Sequence, residues 1–413
     1  MTKMPEENLS IEQSFDLAVQ HYQKGNFQEA ENLYRKILEA NPKHYQSLGY
    51  LGLLAKQSKK YDISKKLLEK VIQINPNLAE ARNNLGLLYQ ELGEYQKAIN
   101  CYQKAVQINP NLAEPHSNLG LLYRELGEYQ KAINCYQKVV QINPNLAEAR
   151  NNLGLSYQEL GEYQKAINCY QKAIHLYNHA LVLNPNNLRA YNNREIALHL
   201  LNSQAGVTTK TASEDYIKTL FDDYAKRFDH HLTTILDYKV PQFLINSLYT
   251  LIGSDLIFDN VIDLGCGTGL SGKEFRPISK RLVGIDLSPK MIEIAEGKRI
   301  YDLIENIEVN KYLETKSEKY DLFIATDLLI YVGDPTQLFS NISKTSKAKA
   351  IFLFSTESTQ DKDYILTNQG RYAHSEEYIH RLAKLNKFTI LNVENATIRT
   401  GIEGHLFILR YLG

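Results

Sequence analysis

The sequence predicts a multidomain chain: an all-α repeat solenoid followed by an α/β domain on a mostly parallel sheet whose last strand runs antiparallel. Three observations carry this. A 34-residue segment recurs almost word for word through the first half, the mark of a stacked array rather than one core. From Leu256, short apolar runs alternate with charged helical stretches, as strands joined by crossover helices do. Between them, Asn202 to Ala212 reads NSQAGVTTKTA, small, polar and unpatterned, as a linker would be. The expected parts are a tail at 1–10, an array of five repeats plus a capping helix at 11–201, a linker at 202–212 and the α/β domain at 213–413.

The regular repeats are 79–112, 113–146 and 147 onward; two divergent units at 11–44 and 45–78 precede them. Leu85-Gly86, Tyr89, Ala98, Tyr102 and Pro110 recur at fixed places. Gly86 and Ala98 let helices approach closely, Gly93 ends the first helix in a left-handed turn, and Asn109-Pro110-Asn111 ends the second. These slots resemble tetratricopeptide (TPR) repeats, although Arg82, His116 and Arg150 stand where that family has tryptophan. In the last unit, Ala166 to Pro185 spans nineteen steps against twelve from Ala98 to Pro110. The extra seven residues, near His175 to Leu181, are close to two helical turns. They extend the second helix either toward the next domain or as an overhang. A further helix near Leu188 to Leu201 is expected to cap the stack.

TPR arrays bind rather than catalyse, so the resemblance implies a protein or peptide partner on the concave face. Asn84, Asn118 and Asn152 fall on the groove side of the first helices in that fold. They resemble the asparagine ladder of O-linked N-acetylglucosamine transferase, which grips extended peptide; the other reading is a solvated polar face copied by duplication.

In the second half, strands are expected at Val261–Leu264, Leu282–Asp286, Leu322–Thr326, Ile351–Ser355, Phe388–Val393 and His405–Tyr411, with helices at Pro289–Glu296 and Pro335–Ser343. The first strand runs into Gly265-Cys266-Gly267-Thr268-Gly269. Glycines at a strand's carboxyl end let backbone approach a ligand. A dinucleotide fingerprint needs a third glycine at 270, which is Leu. The segment instead resembles motif I of class I methyltransferases, which implies a Rossmann-like fold and S-adenosylmethionine as cofactor. On that resemblance Asp263, Gly265, Cys266, Gly267 and Gly269 surround the methionine portion. Asp286, at the end of the second strand, accepts from the ribose hydroxyls, Leu287 and Met291 line the adenine, and Glu308 holds its amine. Asp286 as a mere helix cap is the competing reading.

The fourth strand ends in Thr326-Asp327, where methyltransferases meet the acceptor. No Asn/Asp-Pro-Pro-Tyr/Phe motif stands there and no Pro-Cys pair occurs anywhere, which disfavours nucleic-acid bases. Asp327 and Tyr331 are the acceptor-side candidates, with packing as the alternative for Tyr331. FDDYAKRFDHHL (221–232), GRYAHS (370–375) and RTGIEGHLFILR (399–410) resemble predicted TPR-bearing methyltransferases over nearly the full length. The resemblance makes Tyr224, Phe228 and Asp229 part of a lid, or else an amphipathic helix burying its aromatics. In the loop after strand five, Arg371 is a candidate anion ligand and His374 a candidate base; both have structural hydrogen bonding as the alternative. The candidate catalytic pair is Asp327 and His374.

Composition restricts partners. Formal net charge is zero, so nothing favours nucleic acid or membrane. Without an apolar leader or spanning run, the cytoplasm is the expected compartment. Cys101, Cys135, Cys169 and Cys266 have neither disulfide nor zinc-ligand spacing, and no metal is expected.

Overall fold

The structure is a computed structural model describing residues 9–361 and 363–413, without the side chain of Asp223. Residues 1–8 of the expected tail lie outside the described residues. Two compact units divide the chain, one ending at Cys169 and one beginning at Tyr170. Among the described residues no helix is long and apolar enough to cross a membrane.

The first unit is a run of helix pairs: α1 (Ile11–Gln23), α2 (Phe27–Ala40), α3 (Tyr45–Gln57), α4 (Tyr61–Ile74), α5 (Ala79–Glu91), α6 (Tyr95–Ile108), α7 (Ala113–Glu125), α8 (Tyr129–Ile142), α9 (Ala147–Glu159) and the start of α10 (Tyr163–Leu183). Ser10 begins it with a capping box, its side chain accepting from the Gln13 amide while the Gln13 side chain accepts from Ser10 N–H. Gly86 is dictated by its neighbour, since a Cβ there would lie 2.6 Å from the Tyr102 ring, and Tyr102 is fully buried. The groove asparagines are partly exposed, and two of them bond neighbouring side chains. Asn118 donates to the Asn83 side chain at 2.9 Å, and Asn152 accepts from Arg124 at 3.4 Å. The insertion lengthens the helix as expected: α10 has 21 residues against 14 in α8.

The second unit contains the rest of α10 and then α11 (Leu188–Ala205), α12 (Glu214–His230) and α13 (Val240–Ile252). These lead into the alternating part: β1 (Phe258–Leu264), α14 (Leu270–Phe275), β2 (Ser279–Asp286), α15 (Pro289–Lys298), β3 (Leu303–Asn306), α16 (Val309–Thr315), β4 (Tyr320–Ala325), α17 (Thr336–Thr345), β5 (Ser346–Ser358), β6 (Tyr364–Leu366), β7 (Tyr372–His374), α18 (Glu376–Leu385), β8 (Phe388–Arg399) and β9 (Ile402–Tyr411). Strands β3-β2-β1-β4-β5 are parallel, β9 runs antiparallel to β5, and β8 antiparallel to β9. The buried stretches of the central strands are mainly apolar because both faces are covered. One face carries Phe323, Phe339, Phe352 and Phe354, the other Val261, Leu244, Leu282 and Leu353, all fully buried.

Two expectations at the domain boundary need correction. Helix α11, expected to cap the stack, falls in the second unit and bonds within it. Its His199 Nε2 bonds the Gly370 carbonyl at 2.9 Å, Ser203 Oγ donates to the Thr367 carbonyl at 2.8 Å, and the His199 ring packs 4.2 Å from that of Tyr216. The expected linker at 202–212 is likewise fixed. Its first residues continue α11. Thr209 bonds the Tyr372 hydroxyl at 2.5 Å, and the Ala212 amide donates to the Tyr331 carbonyl at 3.1 Å. Its small polar residues read as slack chain because their hydrogen-bond partners lie about 120 to 160 residues further on. GRYAHS, expected in a loop, supplies β7, paired parallel to the end of β5.

Gly404 lies in the β5–β9 ladder, where a Cβ would overlap the Thr356 carbonyl oxygen and meet the Ile398 side chain. Gly404→Ala is therefore expected to destabilise the protein by about 3 kcal/mol, read as a fall in the thermal unfolding midpoint. An unchanged midpoint would show that this ladder relaxes freely.

Candidate active site

Glycine geometry makes the site. At the end of β1 the chain turns through Gly265, Gly267 and Gly269 with φ of +74°, +53° and +90°, values that side-chain-bearing residues rarely adopt. The amides of Gly265 and Cys266 both donate to the Ile285 carbonyl at 2.9 Å. The Gly267 amide donates to Asp286 Oδ2 at 2.9 Å and the Ser288 amide to Oδ1 at 2.8 Å. The loop and the β2–α15 turn are thus locked together by one carboxylate, whose pKa is raised chiefly by burial.

Above this loop is a cavity of about 870 Å³ at the carboxyl ends of β1, β2 and β4, within the size range of ligand pockets. Gly265, Cys266, Gly267, Asp286, Leu287 and Glu308 line one part of it. Asp327 and Tyr331 line it too, together with Phe221, Phe228 and Tyr238. Glu308 is also the N-cap of α16, accepting from the Asn310 and Lys311 amides. Helix α12 covers the loop: a Cβ on Gly267 would sit 3.9 Å from Phe228. Asp229 fastens that helix by accepting from Thr268 and pairing with Lys298 at 2.6 Å, and Asp222 accepts from Ser288 Oγ at 2.6 Å.

Other expected site residues are placed elsewhere. Asp263 is fully buried beneath the loop and does not line the cavity. It accepts from the Tyr301 hydroxyl at 2.6 Å, and burial pushes its pKa up to about 7 against that bond. Met291 is fully buried in α15, and Gly269 faces Tyr301 rather than the cavity. Tyr224 bonds His231 instead of facing a ligand. Arg371 is spent on Glu357, Nε to Oε1 at 2.5 Å, where it neutralises a carboxylate only 4% exposed. Residues the sequence reading missed include Phe221, Tyr238 and Arg399. Arg399 pairs with Asp327 at 2.6 Å across 72 positions, and no local pattern signals such a partner.

His374 is also corrected. It is completely buried and absent from the cavity lining. Its Nε2 lies 2.9 Å and 3.0 Å from the carbonyl oxygens of Val332 and Gly333, so that nitrogen carries the proton and donates. Burial lowers its pKa to about 4. The unfolded chain therefore binds a proton that the folded chain refuses between pH 6.5 and about 4. His374 contributes stability in full above pH 6.5, lost as acid approaches its folded pKa of about 4, worth about 3 kcal/mol in total. Denaturant unfolding should show this acid limb flattened in His374→Gln; an unaltered limb would assign the loss to other groups.

A parallel sheet ordered this way, with a glycine turn after β1 and a carboxylate ending β2 over one cavity, defines a nucleotide-type cofactor protein of the doubly wound class. Residues 218–401 match the family model described as a methyltransferase domain. Tetratricopeptide repeat models match 12–44, 45–78, 79–112 and 147–179. The chain therefore carries a class I methyltransferase domain, with tetratricopeptide repeats ahead of it.

Among curated relatives, the ubiquinone biosynthesis O-methyltransferase of Hydrogenovibrio crunogenus is 28% identical over 113 residues, which are 26% of this chain and 46% of that protein. The chain spans about half the length of the curated relatives it matches. Of solved structures, MamA is 30% identical over 40% of this chain and 96% of its own, at a TM-score of 0.37. An S-adenosylmethionine-dependent methyltransferase from Clostridium acetobutylicum is 20% identical over 46% of this chain and all of its own, also at 0.37.

The residues present fit the cofactor. Asp286 accepts from the amides of Gly267, Ser288 and Leu287, and its two oxygens keep acceptor capacity for a ribose hydroxyl. The loop presents backbone without a Cβ at Gly265 and Gly267. Leu287, Ile307 and Val309 supply an apolar slot beside Glu308.

Proposed function

We propose that this chain transfers the methyl group of S-adenosylmethionine to an acceptor seated against Asp327 and Tyr331, with the repeat array recruiting a protein partner. The observation that carries the reading is the junction of Gly267 and Asp286 at the cavity wall. When bound, the cofactor supplies a sulfonium-activated methyl group whose loss leaves S-adenosylhomocysteine. The Gly265–Gly267 backbone cradles the amino-acid end, Asp286 holds the ribose, and Leu287 and Glu308 receive the adenine. Phe228 and Phe221 exclude water, and Asp327 orients the acceptor, so the chain aligns reactants more than it activates them. An oxygen acceptor agrees with the O-methyltransferase name of the curated relatives.

Two observations bear on the array. The residues from Lys210 to Ala212, which follow the repeats, line the cavity, and the partly exposed Asn84, Asn118 and Asn152 offer amides to a peptide. Labelled methyl transfer into a cell extract tests the proposal. Label should pass to an acceptor with wild-type protein and not with Asp286→Ala. Transfer by neither protein, at saturating cofactor, would refute the enzymatic reading.

A further inference from the structure

We propose that Arg399 sets the acceptor specificity of this site: by neutralising Asp327 in the cavity wall, it selects a neutral hydroxyl over a protonated amine. This deepens the methyl-transfer reading and rests on it.

Asp327 follows β4 with a φ of +55°, a left-handed conformation that Asp tolerates better than most residues. Its amide donates to Ser355 Oγ at 3.0 Å. Oδ2 accepts from Arg399 at 2.6 Å, the two side chains being 20% and 11% exposed. Oδ1 has no partner within the protein, although the residue lines the cavity. Oδ1 is closed off from solvent, whereas Oδ2 accepts a single bond from the guanidinium and keeps a further lone pair. Arg399 itself is not among the lining residues. It acts through Asp327 and is a positioning residue.

The surroundings fix what Asp327 selects. Phe221, Phe228 and Leu328 give this part of the cavity an apolar wall, and Tyr238 and Tyr331 add phenol rings. The other buried ion pair nearby, Arg371 with Glu357, is internally balanced, so the four formal charges cancel. An unpaired carboxylate in such a wall would draw in an ammonium ion. With the guanidinium bonded to Asp327, an incoming cation meets attraction and repulsion from adjacent groups. A hydroxyl requires one acceptor lone pair, which Oδ2 retains beside its bond to Arg399, and the guanidinium does not repel it. The ion pair thereby discriminates by charge as well as by shape.

Phenol and benzylamine test this as probes: each is a single ring, one bearing a neutral hydroxyl and the other a cation near neutral pH. They are titrated by ligand-observed NMR into the full-length protein saturated with S-adenosylhomocysteine. Wild-type protein should bind phenol about tenfold more tightly than benzylamine. Arg399→Leu should reverse that order while S-adenosylhomocysteine binding stays unchanged; Arg399→Lys, which restores the charge, should return it. Wild-type preference for benzylamine would overturn the inference, as would a folded Arg399→Leu protein with the wild-type order. If Arg399→Leu does not fold, Asp327→Asn decides. It should weaken phenol without strengthening benzylamine, and a gain in benzylamine affinity would contradict the proposal. Failure of wild-type protein to bind S-adenosylhomocysteine would strike down the methyl-transfer reading itself, whereas binding with the wrong probe order removes only this inference.

Discussion

Asp286→Ala is expected to weaken S-adenosylhomocysteine binding by about 100-fold, the cost of two hydrogen bonds to a charged acceptor. The loss has two sources. The ribose loses its acceptor, and the amides of Gly267 and Ser288, now donating to Asp286, lose the group that holds the loop in register. Asp286→Asn separates them. It keeps one oxygen but presents an N–H₂ to the other amide, so the loop is disturbed while the shape survives. Calorimetric titration checks both variants. Retained affinity in Asp286→Ala would mean that the ligand does not use this strand end.

The second large effect is expected at Asp327. Asp327→Asn should lower turnover by about 100-fold through a misplaced acceptor, while S-adenosylhomocysteine affinity stays within about twofold. Amidation removes the charge that pairs with Arg399 and leaves a single oxygen as acceptor. Steady-state kinetics, using the acceptor labelled in extract, distinguish a fall in turnover from a rise in KM. Equal turnover in variant and wild type would place the acceptor elsewhere.

The glycine loop and Asp286 were legible in the sequence because their demands are local. Left-handed turns require glycine, and a strand's carboxyl end is where ligands of this fold class sit. Glu308 was legible by family pattern and does line the cavity. The repeats were legible because their helices obey one short-range rule, broken once, and the break became the longer α10. Long-range pairing was not legible. His374 and Arg371 stood in a polar stretch that reads as a substrate loop, yet backbone carbonyls of the β4–α17 connection and the buried Glu357 claim them. Asp263 looked like a ligand residue from its place before the glycines, and Tyr301 takes it instead. Arg399 lay in a segment noticed only for resemblance. Its role depends on the end of β8 delivering it to a carboxylate just past β4, which no periodicity encodes.

The central claim is that the cavity between the glycine loop and β4 is a cofactor site. A crystal structure with S-adenosylhomocysteine tests it most directly. The ribose is expected against Asp286, the adenine between Leu287 and Val309, and the sulfur directed toward Asp327. Ligand bound away from Asp286, or a cavity that stays empty at saturating concentration, would contradict it.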